Sequence, residues 1–228
     1  MTAVPQGEGA VRVVSGRDVD RRLEELGLAR GVLIMALEAG QTSAQQATEH
    51  HPVTAAGILR WLATVETLRR ELEVQLDWVP DDVRNSPRVL SPDRTTAVLV
   101  ARGDRGTGEV EVTPQTARAR GRSTVQAVNI NEQMALPLDV RVVADPSAER
   151  TDGVQTWILL HYLSDEDPQQ LRAELSLPVR VDETGHVTGW VERILLPPLT
   201  FGPDVGSARD AGDDGEGDGD VEVRVGRR

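Results

Sequence analysis

The stretch LRAELSLPVRVDETGHVTGWVERILL (residues 171–196) constrains the fold more than any other. Leu171, Ala173, Leu175, Leu177, Val179 and Val181 fall on one parity, and Arg172, Glu174, Ser176 and Arg180 fall on the other. A strand sends successive side chains to opposite faces, so the pattern predicts one apolar face and one solvated face. Pro178 lacks a ladder N–H, which predicts an edge position or a bulge. Asp182-Glu183-Thr184-Gly185 supplies a turn, with Gly185 suited to positive φ. The return strand spans residues 186–196, with Trp190 and Ile194 as core residues. An apolar sheet face has to be covered, and only earlier segments carry helical patterns that can cover it.

Those patterns begin at Ser15-Gly16-Arg17-Asp18, which reads as a capping box. The helix that follows places Val19, Leu23 and Leu26 on one side. Gly27 interrupts it, a second helix is expected over 29–39 with Gly40 as its stop, and a short third over 42–51. Helix, glycine, helix invites a helix-turn-helix reading. TSAQQATEH (42–50) carries no basic residue, so a packing layer is the better reading. The strongest helix is 55–76. Ile58, Trp61, Leu62, Val65, Leu68, Leu72 and Leu76 recur every three or four residues. At 1.5 Å per residue it is about 33 Å long, enough to span a sheet face.

Strands are expected at 88–90, 95–101, 154–163, 171–181 and 186–196, with the first two joined by Ser91-Pro92-Asp93-Arg94 and a further helix over 123–133. The expected fold class is α+β: N-terminal helices packed on a mainly antiparallel sheet. Residues 1–14 read as a flexible lead-in. A single domain follows over 15–201, with a helical part (15–78) and a sheet-rich part (86–198). Residues 202–228 are rich in Gly and Asp and almost devoid of apolar side chains, which predicts a disordered acidic tail.

Composition narrows the chemistry. All 25 basic residues are Arg. Without Lys there is no P-loop lysine, Schiff-base lysine or kinase lysine, and without Cys no disulfide, thiolate metal site or Cys nucleophile. No apolar run is long enough to span a membrane, and the N-terminus lacks a secretory pattern, so the expected location is cytoplasmic. The net charge of −12 argues against sequence-blind nucleic-acid binding. The charge is uneven: the span 84–122 holds eight Arg against four acids.

No cofactor and no metal is expected. His50 and His51 are adjacent and do not share a helical face, and His161 and His186 read as a strand residue and a turn residue. The sequence leans away from an enzyme. The candidate binding residues are Arg102, Arg105, Arg118, Arg120 and Arg122, around the loop GDRGTG (103–108). Glycines admit an anion close to the backbone, and Arg makes bidentate bonds to phosphate or carboxylate. Arg118, Arg120 and Arg122 alternate, so an extended chain would put them on one side. The competing reading is that these Arg pair with the protein's own acids.

Three segments form a recognisable combination: ATEHHPVTAAGILRWLATVETLRREL (47–72), SPDRTTAVLVARGDRGTG (91–108) and LRAELSLPV with GWVERILLPP (within 171–198). Together they resemble a family of uncharacterised bacterial proteins associated with defence or mobile-element gene neighbourhoods. The resemblance spans most of 47–198 and implies a setting, not a catalytic residue. The functional expectation is a non-enzymatic accessory or interaction protein with a protein partner. The alternative is a protein that binds nucleic acid or nucleotide phosphate through the Arg-rich loops 102–122.

Overall fold

The computed structural model describes residues 10–83, 85–135, 153–164 and 166–202. Among them the elements run β1 (Arg12–Val14), α1 (Asp18–Glu25), α2 (Arg30–Ala44), α3 (Ala55–Leu76), β2 (Val79–Val83), β3 (Ser86–Leu90), β4 (Thr96–Arg102), α4 (Arg122–Ala135), β5 (Gln155–Leu163), β6 (Gln170–Val181), β7 (Val187–Leu195) and β8 (Leu199–Thr200). The expected disordered tail lies outside the described residues from 203 onward, as do residues 1–9 of the expected lead-in. Residues 12–14, also expected in that lead-in, are strand β1. No helix of the described residues is long and apolar enough to cross a membrane.

The fold class is α+β, but the sheet is mixed and not mainly antiparallel. Its order is β1-β7-β6-β5-β4-β3-β2, with β8 beside β6. β4 and β5 pair in parallel, as do β1 and β7. The chain leaves β4, passes through α4, and enters β5 from the same end as β4. A crossover of this kind makes the two strands parallel, whereas a short turn makes them antiparallel. The two expected hairpins, β3–β4 and β6–β7, are both antiparallel.

β6 lies between β5 and β7, but it pairs with β5 only as far as Ser176, so Pro178 stands past that ladder with β7 alone as its partner strand. It marks a bulge, because the β6–β7 register shifts on both sides of it. Proline cannot donate to a ladder, and a bulge removes the need. Asn131 of α4 uses the local geometry. Its Nδ2 donates to the carbonyls of Pro178 and Thr156, and its Oδ1 accepts from the Thr156 N–H. At the hairpin tip Asp182 Oδ1 accepts from the backbone N–H groups of Thr184 and His186 and from the Thr184 hydroxyl. These bonds, led by the Thr184 hydroxyl, hold the Asp182 carboxyl below its ordinary pKa. Gly185 closes the turn at φ +92°.

Side chains divide by face. The first face contributes Val98, Val100, Trp157, Leu159, Leu171, Ala173, Leu175, Leu177 and Ile194 to one apolar cluster. Val19, Leu23, Leu33, Leu37, Leu68 and Leu72 of α1–α3 belong to the same cluster. The second face contributes Leu99, Ala101, Ile158, Leu160, Val187 and Trp190, which pack with Val128 of α4.

Four details of the helices differ from expectation. Arg17 occupies the cap position of α1 without a side-chain bond, so Ser15 is not the cap. α2 runs through Gly40 to Ala44. Gly40 does not stop the helix; it permits close contact with α3. A Cβ there would lie 2.0 Å from Thr64 Oγ1 and 2.8 Å from the Arg60 carbonyl. No separate third helix follows, because residues 42–44 belong to α2. Beyond it, the Thr48 N–H donates to His51 Nδ1 in a local turn. α3 has the expected bounds, but its buried side is Arg60, Thr64, Thr67, Leu68 and Leu72, and Leu62 of the predicted stripe is exposed.

Candidate functional site

The face of β6 expected to be solvated is covered. Glu174 and Ser176 are fully buried, and Arg193 of β7 is 2 % exposed. Arg193 donates from Nε and Nη2 to the two Glu174 oxygens at 3.0 and 2.6 Å. Glu174 also accepts from the Ser176 hydroxyl at 2.7 Å and from the Gly108 N–H at 2.8 Å. Arg193 donates further to the carbonyls of Val112 and Glu109. Buried charges persist when they are paired and their remaining donors and acceptors are met, and both conditions hold here.

The cover is the segment 103–121, and it is tied down along its length. The Trp190 indole N–H donates to the Pro114 carbonyl at 2.8 Å. Thr116 exchanges bonds with Val187 through its backbone N–H and its hydroxyl. The Arg120 N–H donates to the Gly185 carbonyl at 2.8 Å. Arg172 donates to the Arg105 carbonyl, pairs with Glu109, and stacks 5.1 Å from the Tyr162 ring centroid. Burial lowers the Arg172 pKa.

This changes the reading of the glycine-rich loop. The Gly103 N–H donates to the His161 carbonyl, the Gly106 N–H to Asp104 Oδ1, and the Gly108 N–H to Glu174. The loop amides bind the protein itself. Gly108 is required by contact as well as by φ, since a Cβ there would lie 3.0 Å from the Arg172 Cβ.

The five candidate arginines differ in exposure and in the elements that carry them. Arg105 and Arg122 are exposed, the first in the loop and the second at the start of α4. Arg118 is half-buried in the covering segment. Arg120 lines a small cleft, with room for about one water, beside Trp61, Asn85, Ser86 and Thr124. Arg102 ends β4, where its register partner across the parallel pair is His161.

His161 belongs to a polar group set into the otherwise apolar interface of helices and sheet. It is 1 % exposed, and Arg60 of α3 is 4 % exposed. Arg60 Nε donates to Gln41 Oε1 of α2 at 3.1 Å. Thr64, one turn on from Arg60, is buried and donates to the Arg60 carbonyl. Burial first, then the positive charges of Arg60 and Arg102, push the imidazole down to about 3, so it is neutral at ordinary pH. His161 Nε2 is buried without a hydrogen-bond partner among the described residues. The remaining histidines behave locally. His50 is exposed, and His186 contacts the Thr184 hydroxyl at the hairpin tip. Among the described residues no three His, Cys, Asp or Glu side chains group as metal ligands would.

Sequence reasoning missed Glu174, Arg193, Arg60 and His161 as members of buried networks. The one available signal was a charged residue on a strand or helix whose opposite face is fully apolar. That pattern is the same for a solvated charge and for a buried pair. No protein-family model, curated protein or solved structure matches the chain.

Proposed function

We propose that this chain acts by binding and not by turnover, as an accessory or interaction component. The setting implied by its sequence resemblance is bacterial defence or nucleic-acid processing. The observation that supports this reading is the Glu174–Arg193 pair. The best-placed acid and base of the second face are saturated by each other, by Ser176 and by loop backbone, which leaves them no free valence for a substrate. The test is incubation of the purified chain with nucleotides and with single- and double-stranded nucleic acids. The expected result is no product above a blank. Turnover abolished by one substitution overturns the reading. Tagged chain expressed in its native host should retain one stoichiometric protein partner.

A second reading has its own support. Arg105 and Arg122 are exposed, the first on the backbone-anchored covering segment and the second where that segment enters α4. Exposed Arg groups suit phosphate. Binding of nucleic acid through them should weaken steeply with salt. Fluorescence anisotropy of a labelled oligonucleotide across a salt series, repeated with Arg105→Gln/Arg122→Gln, decides it. Affinity unchanged by the double substitution removes these residues from the interface.

A further inference from the structure

We infer that the outer face of α3 is a self-association surface. A second copy of this chain packs its own α3 there, antiparallel, with Leu62 against Val74 and Glu66 against Arg70 of the other copy. The inference goes beyond the binding readings above and depends on neither.

Three observations carry it. The first is the division of the helix. α3 buries Arg60, Thr64 and Thr67 along with Leu68 and Leu72, while Leu62 is 50 % and Val74 75 % exposed. Leu62, Glu66, Arg70 and Val74 follow one another at four-residue steps, so they form one ridge on the exposed side. From first to last the ridge is about 18 Å long at 1.5 Å per residue.

The second is the order of the ridge. Leu62 and Val74 lie equally far from Leu68 on either side, and so do Glu66 and Arg70. A two-fold axis over Leu68 therefore sets apolar on apolar and each charge on its opposite, the self-complementarity an isologous interface requires. The neighbouring exposed positions agree: Glu73 falls opposite Ala63 and Gln75 opposite Trp61, so no like charges meet. A parallel, in-register pairing sets Glu66 on Glu66 and Arg70 on Arg70, which repel. Isolated exposed apolar residues are ordinary on a surface. Solvation does not account for two of them placed symmetrically about a complementary charge pair.

The third is the state of the charges. Arg70 Nη1 donates to Glu66 Oε1, and Arg70 Nε to Glu71 Oε1. Both side chains stay more than half exposed, Glu66 at 59 % and Arg70 at 52 %. The bonds within the helix hold the two charges on the ridge and leave Arg70 Nη2 available as a donor across the axis. Exposed ion pairs contribute little alone, so the apolar contacts supply most of the association and the charges set its direction.

Sedimentation velocity on the full chain tests this from low micromolar to several hundred micromolar protein. The salt is held at about 0.15 M, where repulsion between two acidic chains is screened within about 8 Å. The expected result is a reversible equilibrium of monomer and dimer. Leu62→Asp and Val74→Asp should each weaken the dimer about tenfold or more, because a charge is set against an apolar residue. Glu66→Arg and Arg70→Glu should each weaken it about fivefold, because like charges then face each other. Mixed in equal amounts, those two variants should form a heterodimer, since each supplies the charge the other lacks. Glu66→Arg/Arg70→Glu should dimerise as the wild-type chain does. Circular dichroism and the melting temperature check that each variant folds. Should Leu62→Asp fail to fold, Leu62→Ser takes its place. A chain that stays monomeric throughout overturns the inference, as does a dimer indifferent to the changes at Leu62 and Val74. A mixture that recovers no dimer overturns the antiparallel pairing. A monomeric chain that loses a different protein from its native-host pull-down on Leu62→Asp assigns the ridge to that protein and overturns the second copy as its occupant.

Discussion

The two faces of the sheet are closed in different ways. On the first, leucines, valines and Trp157 meet three helices, and closure comes from apolar contact. On the second, a shorter apolar patch is flanked by a buried ion pair, and closure comes from hydrogen bonds between strand side chains and an irregular segment. On the apolar face contact is non-directional, so the cost of a change follows the volume removed. On the polar face each donor requires its acceptor. The contrast predicts that single changes on the second face act on one segment, whereas changes on the first act throughout the helices and sheet.

The largest expected effect is at Glu174. Glu174→Ala leaves Arg193 buried and unpaired, and loss of one member of a buried pair costs about 3–5 kcal/mol. Urea denaturation measures it. The double replacement Glu174→Leu/Arg193→Met removes both charges and should recover a large part of that loss. A double variant no more stable than Glu174→Ala would show that the pair matters only as a loop anchor. On the first face Leu159→Ala should cost about 2–5 kcal/mol by removing buried volume from the centre of the cluster. Its signature is a fall in midpoint with amide protection lowered throughout. A loss confined to the helices would break the symmetry of the comparison.

A smaller penalty is expected at Gly40. Gly40→Ala places a methyl against Thr64 and the Arg60 carbonyl, and overpacking of this kind costs about 1–3 kcal/mol. Pairing it with Thr64→Ser should not relieve the clash with the carbonyl. The last effect is graded by pH and is absent near neutrality. His161 titrates near 6.5 when unfolded and is pushed down to about 3 when folded. Above pH 6.5 it is neutral in both states and contributes no pH dependence. Between 6.5 and 3 the unfolded chain binds the extra proton, so stability falls by about 1.4 kcal/mol per pH unit as pH drops. The charged groups that act on it are Arg60 from α3 and Arg102 from β4. His161→Gln should flatten that slope between pH 6 and pH 4. An unchanged slope would show that other groups dominate the acid limb.

The contrast also explains what could be read from sequence. The β6–β7 hairpin, its turn at Gly185, its core residues Trp190 and Ile194, and the bounds of α3 follow from local periodicity, which is a property of neighbouring residues. The parallel pairing of β4 with β5 does not, because it depends on where α4 returns the chain. Glu174 and Arg193 are 19 residues apart, and the Gly108 that completes their network is 66 from Glu174. No local pattern links them, so a buried Glu on the polar parity reads as a solvated one. The same reason limits what alternation says of the candidate arginines. Alternation from 118 to 122 predicts a shared side only while the chain is extended, and α4 begins at Arg122. Gly40 was misread because a glycine near a helix end and a glycine at a helix crossing look alike in one dimension.

The central claim is that the 103–121 segment is a built part of the fold, closed onto the second face by the Glu174–Arg193 pair. Amide hydrogen exchange tests it most directly. The account predicts that the N–H groups of Gly108, Thr116 and Arg120 exchange slowly in the wild-type chain, as interior strand amides do. In Arg193→Met they should exchange much faster, while Leu159 and Val98 keep their protection. Fast exchange at Gly108 and Thr116 in the wild-type chain would contradict the account.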